Sequence, residues 1–549
     1  MPSPGSASMV KGLTERQEEE ESKEIQDDLG ELLNEEKKPA ESHEITHEYL
    51  MNHKEPLTPQ LRLLLFFVAF GSIMMGMDQA LLTTAEIFAK PFLHISTSHW
   101  SWVASAFSLA TAWGTLFAIP VGEFLGRKRA LQISATLCFT GGVMQTAANS
   151  FRVLLAGRLL LGLGMGLEAM NIPIYLAECA PAYGRGGHLN FFNWFQMSGA
   201  PTAYVINAIF LQVKTPWRWR FMLAPICVAA FIQFLGLLLL PESPRWYLMK
   251  DKMDLAEKAW QRLRYDSPVT RYEYRKMVEG VGEDLKERKT YLDSFKLIFT
   301  NRRVRTPFYI GAVLGMASQF SGATAIGYYL TSLLEILGLT VETAVYAEIP
   351  IGFWSAIIAS IPSYLLDKVG RRPLLMYTFP PQIIAIILSL TSFYIPISKA
   401  SQRAEDYFIG FLLYGAFNNI GISSIQWVEA GELYETEVRS IGAAWSAFWI
   451  FASAFVTTYT FSKQVDAVGV KGLYGLYTGF TVFFMIVLFF IFPETKGKTL
   501  EEVKEIMEGG LPFIIHKNIV DAWNNVKYLL SFGKQQSKSM TASEESAAP

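Results

Sequence analysis

About twelve stretches of roughly 20 apolar residues, each long enough to cross the hydrocarbon core of a bilayer as a helix, run through this chain of 549 residues. They fall near 63–84, 101–124, 130–148, 153–176, 188–211 and 221–240, then near 306–336, 346–366, 374–396, 407–428, 441–461 and 472–492. A single water-soluble core stops growing at about 250–300 residues and would not absorb so much apolar sequence. Hydrophobic residues make up 51% of the chain and charged ones 18%, against roughly a quarter charged in soluble domains. The runs are continuously apolar rather than alternating, which argues against a β-barrel. The class is therefore an all-α, multi-pass membrane protein. A net charge of −2 leaves no nucleic-acid footprint. Cys138, Cys179 and Cys227 lie far apart and have neither metal-ligand spacing nor the pattern of a disulfide framework.

The extramembrane parts are uneven. Residues 1–59 are polar and carry the run Glu18–Glu21, which reads as a solvated, disordered tail and not as a cleavable signal peptide. A first six-helix bundle spans 60–240 and a second spans 305–492. Between them, 241–304 form a long charged loop with amphipathic helical stretches such as 255–260. Residues 493–549 form a second polar tail. Basic residues concentrate at Arg127-Lys128-Arg129, at Arg371-Arg372 and in the 241–304 loop. An even number of spans puts these and both tails on one side, which the positive-inside rule makes cytoplasmic.

The two halves echo each other. Glu123-x-x-Gly126-Arg127-Lys128 follows the second span, and Asp367-x-x-Gly370-Arg371-Arg372 follows the eighth. Glu178 precedes Arg185 by seven positions after the fourth span, as Glu432 precedes Arg439 after the tenth. Pro241-Glu242-Ser-Pro-Arg245 closes the sixth span and Pro493-Glu494-Thr-Lys closes the twelfth. Three matched pairs in one order imply two bundles of equal topology, the plan of carriers whose halves rock about a midplane site. Acids and bases at adjoining helix ends can form ion pairs. Exposed pairs are individually weak, about 0–1 kcal/mol, so a network of them between the halves would make a reversible cytoplasmic gate.

These motifs resemble the major facilitator superfamily, and within it the sugar porter family, over about 60–500. The closer marks are Arg158 with Gly162-Leu-Gly-Met-Gly166, Tyr175-Leu-Ala-Glu178-Cys-Ala-Pro181, Gln319-Phe-Ser-Gly322 with Tyr328-Tyr329, and Pro493-Glu-Thr-Lys-Gly-Lys-Thr-Leu500-Glu501. The acidic tails and long central loop are similar to fungal members, and the stretch from Tyr204 to Tyr247 is similar to inositol carriers. The resemblance implies a major facilitator fold, a small-molecule sugar or polyol substrate, no cofactor, no enzymatic reaction and no obligate protein partner.

Asp78 stands in the middle of the first span. A carboxylate at the bilayer centre costs about 2.5–3.5 kcal/mol on insertion scales and usually faces the bundle interior. Arg158, opening the fourth span, is its natural partner. The Gly162-x-x-x-Gly166 spacing permits close helix approach there. In proton-coupled relatives the resemblance makes the acid at Asp78 the proton carrier and the arginine at Arg158 its partner. Glu168 is a second acid within the fourth span, with no position assigned by sequence.

For the substrate, the resemblance points to Asn193 in the fifth span, with Gln196 one helical turn further on the same face, Ser318, Gln319 and Thr324 in the seventh, and Trp427 in the tenth. Tyr328 and Tyr329 would form an outer gate. Amides, hydroxyls and an aromatic wall are what a sugar's hydroxyls and ring faces require. The sequence departs from the family pattern at Ser318 and Thr324, where Gln and Asn are usual, and in Ser423-Ser424-Ile425-Gln426, where prolines are usual. The expected activity is proton-driven import of a sugar or polyol across a plasma membrane by alternating access. Export of a small metabolite, and a sensor that binds sugar without transport, are the alternatives.

Overall fold

The computed structural model describes residues 56–527 other than 182–184, 215–216, 288–290, 436, 497, 499 and 525–526. The expected N-terminal disordered tail and most of the C-terminal tail's Ser/Ala/Glu-rich end lie outside the described residues. In the first half the rods are α1 Pro59–Phe92, α2 Thr97–Leu125, α3 Arg127–Thr146, α4 Phe151–Cys179, α5 Arg185–Phe210 and α6 Trp217–Leu239. In the second half α7 runs over Arg302–Phe320, Ala323–Tyr328 and Leu330–Ile336. Next come α8, Val341–Ile358 continued by Pro362–Val369, then α9, Arg371–Ser392, and α10, Ala400–Asn418 continued to Glu432. Arg439–Ile491 is assigned as one helix, but its backbone leaves helical geometry at Gly469 (φ 68°, ψ 170°), so 439–468 and 470–491 are the two rods α11 and α12.

Eight helices among the described residues are long and apolar enough to cross a membrane by length and composition, with Arg439–Ile491 counted once. The interruption of α7 at Gly322, and polar residues such as Gln132, Ser134 and Gln145 in α3, are what keep those rods below the same measure. The helices overrun the apolar stretches. α1 starts at the cap Thr58, whose hydroxyl accepts from Leu61 N (3.2 Å). It continues past residue 84 because Glu86 is buried and faces Lys90 one turn on (3.8 Å).

In the first half α1 packs on α5, and α3 and α2 on α4; in the second, α7 packs on α11 and α9 on α10. The halves meet where α2 packs on α11, α5 on α8 and α1 on the broken part of α7. The charged loop folds into short helices, Pro244–Met249, Met253–Leu263, Pro268–Glu287 and Tyr291–Thr300. In the second of these Ala256, Ala259, Trp260 and Leu263 turn inward.

One expectation needs correction. The segment after Pro493 is not wholly a polar tail. Leu500–Glu508 is helical, and Val503, Ile506, Met507 and Ile514 are buried in the second half's apolar core. These apolar residues recur at helical spacing among lysines and glutamates, and burying that face favours docking over solvation.

Candidate functional site

Glycine carries the close contacts that shape the interior. On α4, a Cβ at Gly162 would lie 2.3 Å from Phe107 O, and one at Gly166 would lie 2.4 Å from Thr111 O and 2.6 Å from the Cα of Gly114. Two backbones therefore touch, and this places Arg158 of α4 against Val103 and Ala104 of α2. Arg158 and Asp78 are both buried, at 0% and 1% side-chain exposure. Arg158 Nη1 donates to Asp78 Oδ1. Arg158 Nε donates to Val103 O (3.0 Å) and Nη2 to Ala104 O (3.4 Å), and the guanidinium lies 5.0 Å from the Phe107 ring centre.

A third member comes from the other half. Tyr328 Oη donates to Asp78 Oδ2 (3.0 Å) and accepts from Arg158 Nη2 (3.3 Å). Sequence reading placed Tyr328 in an outer gate; the structure places it on the buried ion pair. Tyr329, its neighbour, turns away and stacks on Phe461 of α11 with ring centres 4.4 Å apart.

Beside this triad, with Tyr328 in its wall, lies a cavity of about 310 Å³ between the halves. Of the expected substrate residues, Gln196, Ser318, Gln319, Thr324 and Trp427 line it. The side chain of Asn193 lies outside the described residues. The break in α7 sets the geometry: Gly322 takes φ +89°, and a Cβ there would meet the Tyr477 ring at 2.4 Å. Across that break Thr324 Oγ1 donates to Gln319 Oε1 (2.5 Å), and Gln319 Nε2 donates to Ser318 Oγ (3.1 Å).

Sequence reading missed Gln79, Tyr204, Trp354, Tyr414, Asn418, Asn419 and Gln426, which also line the cavity. Gln79 Nε2 donates to Thr324 O (2.8 Å) across the halves, and Gln382 Nε2 donates to Asn418 Oδ1 (3.1 Å). A π-helical turn over Asn419–Ser423, with non-helical Gly421, precedes Trp427. It kinks α10 without proline, and π-turns of this kind recur at functional sites. Two amides in series, Asn418-Asn419 in an apolar run, were the signal available in sequence.

The repeated motifs sit at the opposite end of the rods from the contacts of α1 with α7. Arg127 Nη2 pairs with Glu178 Oε1 (3.0 Å), and Arg127 Nη1 donates to Gly122 O (2.7 Å). Arg371 Nη2 pairs with Glu432 Oε1 (2.7 Å), and Arg371 Nη1 donates to Leu366 O (3.1 Å). Glu242 accepts from Lys128 N (2.8 Å), as Glu494 accepts from Arg371 N (3.1 Å) and Arg372 N (3.0 Å). Burial pushes the Glu242 carboxyl above its usual range, and the backbone N–H groups of Lys128 and Ser243 pull it back. Gly126 (φ +99°) and Gly370 (φ +103°) let the backbone approach Glu242 and Glu494.

The pairs Arg127–Glu178, Arg371–Glu432 and Arg303–Glu435 thus join helix ends within one half. Glu123, Arg245 and Arg439 stand at the same end; the side chains of Arg185 and Asp367 lie outside the described residues. Arg127→Ala is expected to cost about 1.5–3 kcal/mol, the worth of hydrogen bonds to a charged group, and Arg371→Ala as much. Thermal unfolding of the purified chain reads this, and unchanged midpoints in both variants would mean that water already serves these groups.

Glu168 lies inside the first half, 2% exposed, with Oε2 3.0 Å from where a Cβ on Gly71 would stand. It is not on the cavity wall.

The described hydrogen bonds between the halves are Gln79–Thr324, Thr83–Thr331, Thr84–Glu348, Ser101–Ser462, and those of Tyr328 with Asp78 and Arg158. All sit at the midplane or at the end away from the motifs. In this conformation that end is closed.

Comparisons with known proteins agree with the geometry. The family model described as Sugar (and other) transporter matches residues 36–507. Myo-inositol transporter FST1 of Gibberella moniliformis is 30% identical over 473 residues, 85% of this chain and 81% of the relative. The galactose-proton symporter of Escherichia coli is 27% identical over 447 residues, 81% of this chain and 94% of the relative. Among solved structures, the proton:xylose symporter XylE bound to 6-bromo-6-deoxy-D-glucose superposes with a TM-score of 0.68 at 22% identity, covering 82% of this chain and 99% of that one. The inward-open conformation of XylE from E. coli superposes at 0.67 and 21% identity, covering 80% and 98%. At these identities the structures establish the fold: two six-helix bundles of the major facilitator type. With the family model spanning most of its length, the chain belongs to the sugar (and other) transporter family, as a multi-pass membrane transporter of the sugar and polyol class and not an enzyme.

Proposed function

We propose that the chain imports a sugar or polyol together with a proton across the plasma membrane, with the motif end in the cytoplasm. One observation carries the reading: Asp78 is held at once by Arg158 of its own half and by Tyr328 of the other half. The charge on one carboxyl is thereby tied to a contact between the halves. With the far end closed, ionised Asp78 accepts from both partners. When the halves part at that end, Tyr328 leaves and Asp78 meets outside water, where it takes up a proton and loosens its hold on Arg158. Closing again with substrate aboard and releasing the proton inward restores the triad. The names of relatives, a galactose-proton symporter and myo-inositol transporters, support both the coupling and the substrate class.

Gln319, Gln196 and Trp427 are the residues we assign to substrate, with Asn193, Ser318 and Thr324 beside them. Short side chains at Ser318 and Thr324 leave room, and Asn418, Asn419 and Gln426 bring amides from α10. A ring bearing hydroxyls on every carbon would use amides from both halves, which favours a cyclic polyol or hexose over an apolar metabolite.

The test is uptake in yeast cells lacking their own hexose carriers, with labelled hexoses, disaccharides, linear polyols and inositols, at acid and neutral pH. Uptake of one compound is expected, faster at acid pH and abolished in Asp78→Asn. A surface-expressed chain that takes up none of the panel would overturn import, and uptake indifferent to both pH and Asp78→Asn would overturn coupling.

A further inference from the structure

A second acid lies at the seam, apart from the Asp78 triad. Glu348 of α8 is 0% exposed. Thr331 Oγ1 of α7 donates to its Oε1 (2.5 Å), and Thr84 Oγ1 of α1, from the other half, donates to its Oε2 (3.3 Å). Asn207 Nδ2 of α5 donates to Thr84 Oγ1 (3.0 Å) and to Ala80 O (2.8 Å). Thr83 Oγ1 and Thr331 Oγ1 are 3.3 Å apart, and Thr83 Oγ1 also accepts from Thr331 N (3.2 Å). Thr83, Thr84, Thr331 and Asn207 are each 0% exposed. The hydroxyl chain converges on one carboxyl from both sides of the seam.

No described arginine, lysine or histidine pairs with Glu348. From α5, Tyr204 is the titratable side chain that faces it. On α1 the next acid, Glu86, faces Lys90 (3.8 Å), and on α7 Glu335 faces Glu86. On α10 Arg403 lies over the Phe393 ring (5.5 Å) and Tyr407 is bonded to Tyr474 (2.7 Å). An ionised carboxylate sealed in such a place has hydroxyl dipoles but no counter-charge, and buried charges without one are costly. The neutral acid fits without rearrangement. Its O–H donates to Thr331 Oγ1, whose own hydroxyl turns to Thr83, since either of those threonines can be the donor.

We propose that Glu348, with Thr84 and Thr331, is a proton-binding site separate from Asp78, filled while the halves are closed at this end and emptied to water when they part. Parting removes Thr84 and admits solvent, so the carboxyl ionises and the proton leaves to the same side. Acid on that side therefore holds the end shut, and alkali favours its opening.

The experiment needs no substrate, so its failure leaves the transport reading standing. The full chain in lipid nanodiscs carries spin labels at Ser98→Cys and Ala467→Cys, both exposed at this end, in a Cys227→Ser background, Cys138 and Cys179 being buried. Distances are read by double electron–electron resonance from about pH 5 to about pH 8. In Asp78→Asn, which removes the opposing proton uptake of the triad, the open population is expected to rise about tenfold with pH. With Glu348→Gln added, a permanently neutral isostere, it stays low throughout. Thr84→Val, which leaves the carboxyl in place, keeps the rise but shifts its midpoint. A flat profile in Asp78→Asn, or an unchanged rise once Glu348→Gln is added, overturns the proposal.

Discussion

Arg158→Met is expected to cost about 3–5 kcal/mol, the penalty for stripping one partner from a buried ion pair, and to lower uptake at least as far as Asp78→Asn does. The methionine fills much of the volume but leaves Asp78 at 1% exposure with only Tyr328 as a donor. The carbonyls of Val103 and Ala104 lose their donor as well. Thermal unfolding by size-exclusion fluorescence measures the first effect. The decisive comparison is Asp78→Asn combined with Arg158→Met. Removing the stranded charge is expected to recover most of the stability and none of the coupled uptake. A single variant that melts with the wild type would show that Asp78 is not held as an ion in this fold.

Gly166→Leu is expected to leave no folded protein. Overpacking a well-fitted site typically costs about 1–3 kcal/mol when neighbours can shift. Here the new atoms would meet Thr111 O and the Cα of Gly114, which are backbone and cannot rotate away. The helices would have to separate, and with them the carbonyls that hold Arg158. Gly475→Leu is the control: nothing lies within 4 Å of its Cβ position, and the residue is exposed. Surface yield and a monodisperse elution profile should distinguish the two, and equal yields would refute the close-contact account.

The fold was legible because its governing signal is local. Apolar runs of bilayer length, and the repeat of acid–Gly–Arg, depend on residues near one another in the chain. The partnership of Asp78 with Arg158 was legible for a related reason: a charge in an apolar run demands an opposite charge, and Arg158 was the one at hand. Tyr328 was harder. Its sequence context marks an aromatic near a helix break, but whether a ring faces water or a carboxyl is decided by where α7 resumes after Gly322. Asn418 and Asn419 were missed because the kink that turns them inward comes from a π-turn at Gly421, which no proline announces. The ion pairs of the motifs were expected to cross the halves. Spacing gives the charges but not their partners: with the far end closed, Arg127 and Arg371 bond Glu178 and Glu432 and the carbonyls of Gly122 and Leu366 of their own bundles.

The hydrogen bonds that cross between the halves at the far end come mostly from threonine, serine, tyrosine and amide groups, and none of the described ones is a lysine–glutamate pair. Water can replace each of these partners almost in kind, and a neutral hydrogen bond is worth only about 0.5–1.5 kcal/mol net. The open and closed shapes are thereby kept close in free energy. Nearly level states of this sort can be tipped by a ligand whose preference for one of them is only a few kcal/mol.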